Sequence, residues 1–176
     1  MARPRTFMTN VDPTDIAQLC EAHIKSTQMA MEYGRFLRKY VPGFENSQVT
    51  RIADMTLERA GRSIDNDAAP TREAIQKPMS NDDVVVALKR GIHGIYEIPY
   101  RTMVAEKIDN LLAVGKSSSG GKALRTHMLS VIMGQAAGTA AALAVKEHVP
   151  VRDVPIRKLQ DQLRAAGIEI PQKAAK

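Results

Sequence analysis

Residues 110–145 read NLLAVGKSSSGGKALRTHMLSVIMGQAAGTAAALAV. The run Leu111-Leu112-Ala113-Val114 is apolar throughout, the pattern of a buried strand. Gly115 to Lys122 follows as a polar, glycine-rich stretch and predicts a flexible loop. From about Leu124 to His148 the residues predict one long helix, which Pro150 stops. Its middle is nearly all small, with Gly134, Ala136, Ala137, Gly138, Ala140, Ala141 and Ala142. Two glycines in a helix cost roughly 2 kcal/mol relative to alanine, so some close backbone approach must offset them. Strand, glycine loop and glycine-bearing helix in this order present backbone N–H groups to an anionic or electron-rich ligand. Glycines at 115, 120 and 121 permit close approach because no Cβ intervenes.

The loop does not fit a nucleoside-triphosphate P-loop. That motif has four residues between its first glycine and the Gly-Lys pair, then Ser or Thr. Here five residues separate Gly115 from Gly121, and Ala123 follows Lys122, which leaves no hydroxyl for magnesium.

Upstream, Asp12-Pro13-Thr14-Asp15 predicts a helix start, with Asp12 as cap and Pro13 in the first turn. Ile16, Leu19, Cys20, Ile24, Met31 and Leu37 form the expected apolar stripe of this helix, which Pro42-Gly43 ends. Gln48 to Met55 predicts a short strand, and residues 58–80 an irregular loop or weak hairpin. Ser80-Asn81-Asp82-Asp83 predicts the cap of a short helix through Lys89, broken at Gly91 and Gly94. Tyr96 to Val104 predicts a strand with Pro99 at an edge or bulge, and Asp109-Asn110 a turn. Pro155 opens a last amphipathic helix, with Ile156, Leu159 and Leu163 on one face and Gly167 at its end.

The 176 residues suffice for a domain with a real core, at 44% hydrophobic and 4% aromatic content. The single Cys20 excludes a disulfide framework or thiolate zinc site within the chain and reads as a small buried hydrophobe. No Asp/Glu/His cluster has metal-ligand spacing. The net charge of +6 is scattered, and no aromatic platform is interleaved with it, which reads as a solvated face rather than a nucleic-acid surface. No uninterrupted run of about 18 apolar residues predicts a membrane span, and the basic N-terminus lacks the apolar core of a secretory signal. A reducing, cytoplasmic setting fits this composition.

Met133-Gly134-Gln135-Ala136-Ala137-Gly138-Thr139-Ala140-Ala141-Ala142 resembles the closing helix of FAD-dependent oxidoreductases with two-dinucleotide folds. Asp109 to Lys116 is similar to the strand that family places before the flavin, and Ile98-Pro99-Tyr100-Arg101 to a phrase shortly before it. Arg125 stands nine residues ahead of Gly134, also the family spacing. Phe36 to Phe44 resembles the stretch preceding the family's substrate region. The likeness is strong from Tyr96 to Lys146 and weak from Thr56 to Gly91.

The resemblance implies an α/β or α+β fold: long helices packed on a few strands, as part of an FAD-binding flavoprotein. It implies FAD beside Gly115, Lys116, Ser117 and Ser118, with the backbone of Met133, Gly134, Gln135, Ala136 and Ala137 at the flavin's pyrimidine edge. Arg125, His127, Arg59 and Arg62 are the candidates for substrate chemistry. The family's Gly-x-Gly-x-x-Gly segment is absent from this sequence. A second polypeptide carrying the dinucleotide fold, or self-association, is therefore expected. Residues 1–95 read as a helical, substrate-region-like segment and 96–176 as the FAD-facing segment, together one structural unit. The expected function is hydride or electron transfer with a small organic substrate. An inactive truncated fragment, and a helical interaction or nucleic-acid-binding module, are the alternatives.

Overall fold

The computed structural model describes residues 8–56, 61–66, 82–89, 95–120, 124 and 126–170. The chain divides into two compact units, Met1–Gly61 and Arg62–Lys176. An antiparallel hairpin whose strands flank residues 90–94 lies wholly in the second unit. The mixed α/β class holds, with helices dominating a single two-stranded sheet among the described residues.

In the first unit, helix α1 spans Ile16–Tyr40. Its cap is Asp15 rather than Asp12: the Asp15 carboxylate accepts from the backbone N–H groups of Ala17 and Gln18. The Gln18 side-chain amide and those two N–H groups hold the Asp15 pKa below its ordinary value. Asp12 instead closes a local turn by accepting from the Thr14 N–H and hydroxyl. The apolar stripe read from sequence is not a buried one. Ile16, Cys20, Ile24 and Met31 face solvent, while Ala22 is the one buried residue of the helix. The segment after α1 crosses its back, where the Val49 side chain stands 2.6 Å from the position a Cβ on Gly34 would take. Residues 48–56 contain no strand, against the expectation for Gln48 to Met55.

The second unit opens its regular structure with strand β1, Val84–Lys89, paired antiparallel to β2, Ile95–Pro99. This corrects the short helix expected after Ser80. Three successive valines, stiff at χ1, favour extended backbone and outweigh the acidic cap signal. A bulge between Val84 and Val86 breaks the usual alternation, and all three valines are buried. β2 ends at Pro99, and the expected extension to Val104 is a 3₁₀ turn over Tyr100–Met103. Asp83 anchors that turn through its carboxylate to the Arg101 N–H and guanidinium, at 3.2 Å each.

Helix α2, His127–Glu147, is the core element of this unit, with the shorter helix α3, Ile156–Ala165, packed against it and against β1. Leu129, Met133, Ala136, Ala140 and Leu143 of α2 join Val85, Ile98, Leu159 and Leu163 in one apolar cluster. By length and composition α2 would also suffice to cross a membrane; its packed face gives it the part of a core helix. The left-handed His148, with the Val149 N–H bonded to the Ala144 carbonyl at 3.0 Å, closes α2 before Pro150. Pro155 precedes α3 and Gly167 follows it at φ +87°, as the sequence punctuation predicts.

The linker between α2 and α3 is clamped at Val151. Its N–H bonds the Asn110 side-chain oxygen at 3.2 Å, and its carbonyl accepts from the Tyr100 hydroxyl at 2.7 Å. Tyr100 is 2% exposed, and burial pushes its pKa from 10.0 up to about 12. The folded phenol therefore resists ionisation while the unfolded chain gives up its proton first. Stability is full below about pH 10 and is lost as the pH rises toward 12, by roughly 2–3 kcal/mol in all. Tyr100→Phe should abolish that alkaline loss in chemical denaturation across pH. At neutral pH it should cost about 1–2 kcal/mol, because the Val151 carbonyl loses its donor.

Candidate functional site

The stretch that carries the expected site folds differently from its sequence reading at one end. Leu111–Val114 is not a buried strand. Among the described residues its ladder is a single antiparallel bridge, Val104 to Leu112, and Leu111 is exposed. The run turns over the core edge, where the Ala113 N–H bonds the Met103 carbonyl at 2.8 Å and the Ala105 N–H bonds the Leu111 carbonyl at 3.0 Å.

Nor does the following loop behave as a free polar strip as far as residue 119. Gly115–Ser117 forms a 3₁₀ turn, and Ser118 is fully buried with its hydroxyl on the Gly115 carbonyl at 2.8 Å. Ser119 donates its N–H and hydroxyl to the Thr102 carbonyl, both at 3.1 Å. The Ser117 carbonyl accepts from the Ile64 N–H at 2.9 Å. Gly115 has φ +63°, and a Cβ there would stand 2.8 Å from the Ser130 hydroxyl. The close approach that Gly115 permits is thus to the protein's own helix. Gly115 and Ser118 set the loop, whereas Lys116 is exposed and Ser117 half-buried.

Helix α2 runs unbroken through residues 133–137. Amides there belong to the i to i−4 ladder and are not free to donate to a ligand. The amides outside the ladder lie at His127, Met128 and Leu129, and Thr126 makes no side-chain cap bond to them. Met133 and Ala136 are fully buried core side chains, and Ala137 packs against the core from its edge. Gly134 and Gly138 are different. A Cβ at either would meet nothing within 4 Å among the described residues, so neither packs closely against a described neighbour. Gln135 is exposed beside them, its carbonyl accepting from the Thr139 hydroxyl at 2.9 Å.

Positions four apart stack on one helix flank about 6 Å from each other. Ser130, Gly134 and Gly138 follow that spacing, and Gly115 rests on the first of them. The structure therefore brings the 115–117 turn and the open glycine flank onto one side of α2. His127 is exposed in the first turn of the helix. Arg59 and Arg125 lie outside the described residues.

Arg62 lines an open cavity of about 460 Å³ with Ser63, Ile64, Asp65, Ala105, Lys107, Ile108 and Ser117. Asn66 holds this segment in place by donating to the Arg101 and Val104 carbonyls at 2.6 and 2.5 Å. Asp65 pairs with Lys107 across the rim. Two cations and one carboxylate leave the rim net positive. Apart from Arg62 and Ser117, its residues carry no motif; they are 40 or more positions apart in sequence across the cavity, and only the fold assembles them. No group of His, Cys, Asp or Glu suited to a metal occurs among the described residues.

A family model described as FAD dependent oxidoreductase matches residues 2–163. No curated protein and no solved structure matches the chain. With most of its length covered by that match, and in keeping with its mixed helical and hairpin fold, the chain belongs to the FAD dependent oxidoreductase family.

Proposed function

We propose that this chain supplies a flavin-facing surface for an FAD-dependent oxidoreductase acting on a small organic substrate, with the dinucleotide fold supplied by another polypeptide. The observation that carries this reading is the family match over residues 2–163. The open flank of α2 fits it: Gly134 and Gly138 leave room for a flat group, where alanine or larger side chains would begin to fill it. Lys116 and Ser117 are exposed enough at the loop to meet a phosphate or ribityl hydroxyl, and Gln135 can hydrogen-bond the polar edge of a ring. Met133, Ala136 and Ser118 act through the core that holds this surface rather than by contact.

Bound FAD would supply the electron-accepting chemistry. The chain's own part is to position that group, to present the uncapped amides at the start of α2 toward negative charge, and to exclude water along an apolar flank. Arg62, on the net-positive cavity, is the described candidate for holding an anionic substrate group.

Binding of FAD to the chain, followed by its visible absorption and fluorescence with and without a Gly-x-Gly-x-x-Gly partner, tests the reading. Gly134→Phe puts a ring on the open flank, at a position where a Cβ meets no described atom within 4 Å. It should weaken FAD binding by about tenfold or more, equivalent to about 1.4 kcal/mol, at a nearly unchanged melting temperature. FAD binding that is absent with the partner present, or indifferent to Gly134→Phe, would count against the assignment.

A further inference from the structure

We infer that the cavity at Arg62 takes a small monocarboxylic acid with a short aliphatic body. This deepens the flavin reading and rests on it in one respect, that the acid bound there is the oxidoreductase's substrate. The binding itself follows from the cavity alone. At about 460 Å³ the cavity lies toward the lower end of the range for ligand pockets, which suits a metabolite-sized molecule. Its lining has two characters. Ile64, Ala105 and Ile108 supply apolar wall, and Ile108 is 58% exposed, a large aliphatic side chain with room against it. Arg62 and Ser117 supply polar groups that the fold leaves unspent: neither side chain has an ion pair or hydrogen bond among the described residues. A guanidinium and a hydroxyl together can satisfy both oxygens of a carboxylate.

The charge count limits the ligand to one anionic group. Lys107 is paired with Asp65, so the pair contributes no net charge, and the charge left on the lining is that of Arg62. One positive charge matches one carboxylate. A second carboxylate, or a phosphate dianion, would bring negative charge toward Asp65 with no cation of its own to meet it. The apolar wall favours an aliphatic chain for the rest of the molecule, since that surface is withdrawn from water when the ligand binds.

The walls are fixed before any ligand arrives. The Ile64 N–H bonds the Ser117 carbonyl at 2.9 Å, the Glu106 N–H bonds the Asp65 carbonyl at 3.4 Å, and Asn66 fastens the same segment to the Arg101 and Val104 carbonyls. A lining held from both sides has little ordering left to lose on binding. Ser117 also belongs to the 115–117 turn that the flavin reading sets beside the cofactor, so an acid in this cavity lies next to that turn.

Titration of the full chain, without flavin, with isovalerate, isovaleramide, succinate and inorganic phosphate tests this, read by NMR on the side-chain methyl groups of Ile64 and Ile108. Isovalerate should shift both methyl signals saturably. Isovaleramide lacks the charge, phosphate lacks the aliphatic body and succinate carries a second carboxylate; each should bind about tenfold more weakly or worse. Arg62→Gln should weaken isovalerate by about tenfold with an unchanged circular dichroism spectrum, and Arg62→Lys should lose less. Ile108→Ser, read on Ile64, should weaken it by roughly threefold, because part of the apolar wall is gone. No shift of either methyl with isovalerate overturns the inference, and so does equal binding of isovaleramide or succinate, or an Arg62→Gln chain that binds as before. FAD binding, measured separately with the Gly-x-Gly-x-x-Gly partner, keeps the two readings apart. A chain that binds FAD but not isovalerate sinks only the acid site, and one that binds isovalerate but never FAD upholds the acid site and removes its standing as a substrate site.

Discussion

Gly115→Val is expected to lower the unfolding free energy by about 2–3 kcal/mol, because a β-branched residue is held at a left-handed φ. Two costs add at this position. The backbone cost follows from φ +63°, and the contact cost from a Cβ 2.8 Å from the Ser130 hydroxyl. They can be separated with Gly115→Ala, for which about 1–2 kcal/mol is expected. Adding Ser130→Ala removes the hydroxyl and should recover the contact share but leave the backbone share, a non-additivity that a double-mutant cycle reads directly. Denaturant midpoints of the four proteins give the result. Equal stability of Gly115→Val and wild type would mean that the turn does not sit on α2 as described. The same variants should loosen the 115–119 loop from Thr102 and Ile64, so FAD binding should fall with them.

Met133→Ala should cost about 2–5 kcal/mol, while Val131→Ala, two residues away, should change stability by less than about 0.5 kcal/mol. Met133 is fully buried, whereas Val131 is 71% exposed. The contrast tests which side of α2 is the core side. Thermal or urea unfolding suffices, and similar effects from the two would place the helix differently. A Met133 variant that binds FAD poorly only in proportion to its unfolded fraction would agree with a structural rather than a contacting part for this residue.

The orientation of α2 was not legible in the sequence, for a physical reason. Its few polar residues, such as Ser130, Gln135 and Thr139, are too sparse among Ala, Gly, Leu, Val and Met to mark a continuous solvent side. The end of α2 and both ends of α3 were legible, because Pro150 after α2, and Pro155 and Gly167 around α3, act through local backbone geometry that tertiary contacts do not override. The β1 strand was missed because an acidic cap pattern is a local signal, and the demand of three valines for a covered, extended site is satisfied only by pairing with β2. Leu111–Val114 failed in the opposite sense: an apolar run suggested burial, but the strand neighbours it needs are absent among the described residues. Family membership was readable from Tyr96 to Lys146 by composition of a few phrases. The cavity at Arg62 was not, since its walls come from segments far apart in the chain.

Both main-chain groups of Val151 are held by side chains from a distant segment, Asn110 on one side and Tyr100 on the other. A joint fastened in this way cannot breathe by itself, since releasing it means unpacking the phenol and the turn together. Deuterium should therefore enter at Val151 at the rate set by opening of the whole second unit, making this one amide a gauge of its cooperativity.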